Sequence, residues 1–98
     1  MSNPSTPHPN TLVHASSMAI KLDKPILLDY YLESCRGQVF IGKATEKENI
    51  LVKISGEEYT SPIKNVSHVE NDNGGDYIIE TENSLYITKA GLEVRQVA

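Results

Sequence analysis

The fold class the sequence predicts is mainly β: a small single-domain antiparallel barrel, roll or sandwich over Lys21–Ala98, preceded by a flexible tail over Met1–Ile20. Three observations predict it. Short runs rich in Val, Ile, Tyr and Thr recur with turn signals at intervals of about 10 residues, the spacing of small all-β domains. Asp76–Glu82 and Leu85–Ala90 form a clear hairpin pattern. Every Asp, Glu, Lys and Arg lies between Lys21 and Ala98, while Met1–Ile20 carries none and holds Pro4, Pro7 and Pro9 among Ser and Thr.

The charge-free start has few large apolar groups, so its burial is not expected to offset its own ordering entropy. Met18 opens the string Met-Ala-Ile-Lys-Leu-Asp, which reads like a natural start, so that translation from Met1 and from Met18 are both open and the first residues are an extension on the second reading. Ile26–Leu32 has two readings. As a strand it places Ile26, Leu28, Tyr30 and Leu32 on one face; as a helix it is capped by Asp23, has Pro25 in its first turn and stops at Gly37. Length and the paired tyrosines favour the strand.

Gln38–Lys43 and Asn49–Ile54 read as a hairpin around the polar loop Ala44–Glu48. Ser55-Gly56-Glu57-Glu58 is a turn, and Tyr59–Ser61 is extended up to Pro62 because a residue before proline avoids the helical region. Ile63–Val69 is a short strand. Glu70–Gly75 is the strongest turn in the chain, and Leu92–Val97 is a last strand.

Composition excludes several function classes. The formal net charge is −4, and Lys and Arg are scattered singly, so no footprint for nucleic acid or a membrane surface is expected. No apolar run approaches the roughly 20 residues of a membrane-spanning helix. Neither a basic nor an apolar region of a secretion signal opens the chain. With Cys35 the single cysteine, no internal disulfide is expected, and the predicted location is cytoplasmic. Asn65-Val66-Ser67 fits the glycosylation sequon by chance in that setting.

No catalytic residue, cofactor or metal site is predicted. Cys35 and His68 are too few ligands for zinc, and no activating pattern surrounds the thiol beyond Arg36. The acidic stretch Asn71–Glu82 fails the calcium-loop template, since Asp76 stands where glycine is required. The chain therefore reads as a non-enzymatic protein-interaction or regulatory module, with a protein partner that includes itself. The alternative is a small-ligand-binding protein with its pocket inside the barrel or between subunits.

One feature of the hairpin points to a surface. With a two-residue turn at Glu82-Asn83, Ile79 opposes Tyr86 and Ile78 opposes Ile87. Tyr77, Ile79 and Tyr86 then share one face, and Ile78, Leu85 and Ile87, with Glu80 as the charged exception, share the other; a turn at Asn83-Ser84 changes the partners but not these faces. A lone outer hairpin has one polar face. Both faces here are apolar, so one needs cover from the Ile26–Leu32 segment or from another subunit. The expectation is a subunit interface containing Tyr77, Ile79 and Tyr86.

Overall fold

The fold, seen in a computed structural model that describes residues 6–72 and 74–97, is organised around the hairpin expected from the sequence. Strands β5 (Ile63–Val69), β6 (Asp76–Thr81) and β7 (Leu85–Lys89) form an antiparallel meander, and the two-residue strand β1 (Ile26–Leu27) adds parallel to β7. The order in this first sheet is β1-β7-β6-β5. Its register places Ile79 opposite Tyr86 and Ile78 opposite Ile87, as a turn at Glu82-Asn83 dictates. The turn closes through the Thr81 amide donating to the Ser84 carbonyl at 2.9 Å.

The second sheet is built on the hairpin of β2 (Val39–Lys43) and β3 (Asn49–Lys53), with β4 (Glu58–Tyr59) antiparallel to β3 and β8 (Val94–Gln96) parallel to β2. Its order is β4-β3-β2-β8. Both sheets are therefore mixed rather than antiparallel, and the described strands close no barrel. The reason is topological. The parallel partners β1 and β7, and β2 and β8, are separated in the chain by several other strands, so each pair is closed by a long excursion that no tight turn could make.

The largest departure from the sequence reading is at the start of the chain. Pro9–Leu22, most of it expected as tail, is a 14-residue helix, α1; Met1–Ser5 lie outside the described residues. Pro9 sits in the first turn, where its missing N–H costs nothing, and His8 caps it by accepting the Asn10 amide on Nδ1 at 3.1 Å. A second cap comes from far away: the Asp76 carboxylate accepts the His8 amide at 3.1 Å and the Thr11 hydroxyl at 2.7 Å. A negative group at a helix N-terminus is favourable by about 0.3–1 kcal/mol or more when part-buried. Thr11, Leu12, Ala15, Met18 and Ala19 recur every three or four residues and face the first sheet. The helix ends at Asp23, which takes the left-handed conformation at φ 54°.

Ile26–Leu32 is neither of the two single elements expected. Its first residues are β1, and after a turn the five-residue helix α2 (Tyr31–Cys35) follows. This break points consecutive tyrosines in opposite directions. Tyr31 enters a core between the helices and the first sheet with Ala15, Ile78, Leu85 and Ile87. Tyr30 enters a second core between the two sheets with Val39, Leu51 and Ile79. The layers are thus helices, first sheet, second sheet.

Two buried polar groups tie the layers. Tyr31 donates its hydroxyl to Asp76 at 3.0 Å, and burial followed by this carboxylate pushes the phenol upward from its ordinary value. Glu80 accepts from Lys24 Nζ at the end of α1 and from the Asn65 amide at 2.9 Å, and these two donors hold its carboxyl below the usual range. Gly75 closes the β5–β6 turn at φ +98°, and a Cβ there would stand 2.5 Å from His68 Nε2 and 2.8 Å from the Val69 carbonyl.

Candidate functional site

The structure brings Tyr77, Ile79 and Tyr86 together on one face of the first sheet, as the register requires, but that face is turned inward. Ile79 is fully buried between the sheets. Tyr77 and Tyr86 are half-buried at the margin of the same core. Tyr86 meets the edge of Tyr30 at a centroid distance of 5.1 Å, and Tyr77 meets His68 at 5.7 Å. The expected interface residue Ile79 is therefore a core residue. Of the two covers the sequence left open, the chain itself supplies one, through Tyr30 of the Ile26–Leu32 segment together with Val39 and Leu51 of the second sheet. The ammonium of Lys53 stands 4.7 Å from the Tyr30 ring centroid. Burial, with Tyr86, Glu58 and Asp29 as lesser causes, pushes the Tyr30 hydroxyl up to about 12.

The other residues weighed for chemistry have structural surroundings. Cys35 packs against the core beneath α1. His68 lies 3.3 Å from the Gly74 carbonyl. Asp76, from the acidic loop, is turned inward and accepts from His8, Thr11 and Tyr31. Asn71 accepts the Gly75 amide at 3.2 Å. The described residues contain no cluster of three His, Cys, Asp or Glu side chains suited to a metal ion. They contain no helix long and apolar enough to cross a membrane.

Two surfaces stand out instead. One is the free side of β5. This strand runs for seven residues at the end of the first sheet, so among the described residues its outer backbone groups have no neighbouring strand. Next to it lies an open groove of about 560 Å³. α1 forms one wall with Asn10, His14 and Met18, β5 forms the other with Ser67 and Val69, and Ile78 lies at the base. At its far end the edge is blunted by a bulge between Ile63 and Asn65, where Lys64 projects towards Glu82 at 3.3 Å.

The second surface is the outer face of the second sheet. By register, Tyr59, Val52 and Phe40 form one row across β4, β3 and β2, and Ile50, Gly42 and Arg95 form the next across β3, β2 and β8. Arg95 reaches back so that its guanidinium lies 4.6 Å from the Phe40 ring centroid. Val97 lies over Gly42, where a Cβ would meet it at 3.1 Å. Tyr59 is 72% exposed and Val97 46%.

Sequence reasoning missed both surfaces. The groove needs a helix the composition did not announce. The outer face was within reach of the same two-face test applied to Asp76–Ala90, because Val39-Phe40-Ile41 and Ile50-Leu51-Val52 are also apolar on both sides. Comparison with protein-family models, with curated proteins and with solved structures gives no significant match.

Proposed function

We propose that this chain is a non-enzymatic interaction module that receives an extended segment of a partner protein along β5, in the groove against α1. The observation that carries the reading is the juxtaposition of a seven-residue open strand edge with a helix-walled groove. An exposed edge offers main-chain hydrogen bonds to an added strand, and alternate side chains of that strand fall into the adjoining groove and are selected there. Asn10, His14 and Ser67 offer polar contacts, and Met18, Val69 and Ile78 offer an apolar base. The bulge at Lys64 limits addition to the part of β5 from Asn65 onward and disfavours indiscriminate edge pairing.

The test is selection of displayed random peptides on the full chain, followed by titration of the isotope-labelled protein with a selected peptide. Amide shifts are expected along β5 and in α1 from Asn10 to Met18, and Ser67→Trp, which fills the groove, is expected to weaken binding by about tenfold or more. Failure to select any peptide, or shifts confined to the second sheet, would overturn the proposal. A small-ligand reading has one observation in its favour: the groove volume lies within the range of about 300–1,000 Å³ that such sites occupy. A bound small molecule would shift the groove walls and leave the outer amides of β5 unmoved.

A further inference from the structure

The groove beside β5 carries charge at both ends, and the two ends differ in sign. Helix α1 runs antiparallel to β5. Its start is tied to Asp76, the partner of Val69, and its end to Glu80, the partner of Asn65. Glu70 lines the groove at the first end, and the exposed Asp72 follows it. Asn10, His14 and Met18 form one stripe of α1 along the groove. Lys21 stands about two turns beyond His14 and continues that stripe past Met18 to the other end. The remaining lysines there are already matched, Lys24 by Glu80 and Lys64 by Glu82. Among the described residues Glu70, Asp72 and Lys21 make no ion pair.

Resting on the strand addition proposed for β5, we infer that the received segment runs antiparallel to β5, with a basic side chain at its N-terminal end beside Glu70, an apolar one in its middle and an acidic one at its C-terminal end beside Lys21. Antiparallel pairing is the slightly more stable ladder. It sets the first residues of the segment beside Val69 and the last beside Asn65. Residues directly opposite one another in such a pair point to the same face. Asp76, Ile78 and Glu80 face α1, so their partners Val69, Ser67 and Asn65 face it too. The segment residues opposite Val69, Ser67 and Asn65 therefore enter the groove, and those between them point to the other face. The first lies next to Glu70. The second points towards Ile78 between His14 and Met18, and the third approaches Lys21.

Charge selects this polarity over its reverse. A segment with acid first and base last would set like charge against Glu70 and Asp72 at one end and against Lys21 at the other. Like charges facing one another disfavour an arrangement, and such repulsion fixes register and direction. The helix dipole does not reverse the preference. The N-terminus of α1 favours an anion, but Asp76 already fills that place by accepting from His8 and Thr11. The free charges are exposed, so they set which segment enters and in which direction, while main-chain hydrogen bonds to β5 hold it.

Two synthetic peptides test this, Thr-Lys-Thr-Val-Thr-Glu-Thr and its charge-exchanged form Thr-Glu-Thr-Val-Thr-Lys-Thr, each titrated to millimolar concentration into the isotope-labelled full chain. The first is expected to bind about tenfold more tightly than the second, with the difference narrowing at about 1 M salt, where exposed charges are screened. A paramagnetic label on the N-terminus of the first peptide is expected to broaden the amides of Val69 and Glu70 and to spare that of Asn65. Glu70→Lys combined with Lys21→Glu is expected to invert the preference between the two peptides, and both positions are exposed, so the fold stays in place. Shifts along β5 with equal affinity for the two peptides would overturn the inference and leave strand addition at β5 standing. So would broadening at Asn65, or an unchanged preference in the folded double variant. No shift along β5 with these peptides or with any selected one would overturn both.

Discussion

The two sheets solve the same problem differently. Each contains a central hairpin that is apolar on both faces. The first sheet is sealed on both sides within one chain, so Ile78, Ile79, Leu85 and Ile87 are all essentially inaccessible. The second is sealed on one side, and its outer residues range from the buried Phe40 to the exposed Tyr59. An apolar face therefore predicts that something covers it without saying what. For the first sheet the cover is a helix layer and a second sheet, whereas for the second the chain supplies only the side chains of Arg95 and Val97, over Phe40 and Gly42.

The sharpest way to break the comparison is to remove equal apolar volume from each region. Ile79→Ala empties a site between the sheets and is expected to destabilise by about 2–5 kcal/mol. Ile50→Ala on the outer face is expected to cost about 1 kcal/mol or less in the monomer. Urea unfolding at low protein concentration measures both. Equal losses would mean that the outer face is as well packed as the core.

The next effect comes from the polar ties that hold α1 to the first sheet. Lys24 and Glu80 are both largely buried, with side chains 14% and 10% exposed, whereas Lys64 and Glu82 are 48% and 64% exposed. Removing one partner of a buried pair strands the other charge, so Lys24→Met is expected to destabilise by about 3 kcal/mol. Lys64→Ala is expected to cost between about 0 and 1 kcal/mol. Because Glu80 is held below its ordinary range, its contribution is present above the usual glutamate value of about 4.3 and is lost as pH falls below it. Acid unfolding followed by circular dichroism should show that limb weakened in Glu80→Gln.

The same comparison shows what was legible in the residues. The shared faces of the Asp76–Lys89 hairpin could be read because a two-residue turn at Glu82-Asn83 or at Asn83-Ser84 gives the same faces, while the exact pairing, Ile79 opposite Tyr86, belongs to the first of these turns. The parallel placement of β1 and β8 could not, because it depends on pairing between Ile26 and Leu85, and between Ile41 and Val94, far apart in sequence. Helix α1 was hidden for two reasons. Its buried stripe includes Thr11, Ala15 and Ala19, which are weakly apolar, and its carboxylate cap is Asp76. Tyr77, Ile79 and Tyr86 were placed on the correct shared face, but what covers that face depends on Tyr30, whose direction is set by a break that period-2 reading smoothed over.

An alkaline effect sharpens the account of that cover. The Tyr30 hydroxyl is raised to about 12, chiefly by burial. A group raised in the folded state stabilises fully below its unfolded value and loses that contribution as pH rises through the folded one. Stability is therefore expected to fall between about pH 10 and pH 12. Tyr30→Phe should flatten this limb in a pH series of urea unfolding; an unchanged slope would show that Tyr30 is not sealed between the sheets.

The smallest expected effect is the most telling about the second sheet. Replacing valine by threonine keeps shape and strand preference but adds a hydroxyl, so its cost reports whether the site is dry. Val39 lies on the inner face at 4% exposure, and Val39→Thr forces a hydroxyl into the inter-sheet core, at about 1–3 kcal/mol if it finds no partner. Val52, on the opposite face, is partly exposed, and Val52→Thr is expected to change monomer stability by about 0.5 kcal/mol or less. The two positions lie on adjacent strands of one sheet, so the difference isolates the cover on each side. Urea unfolding of both variants at one protein concentration measures the difference, and equal losses at the two positions would mean that the outer face is as dry as the core, so that the contrast between the two sheets reduces to composition alone.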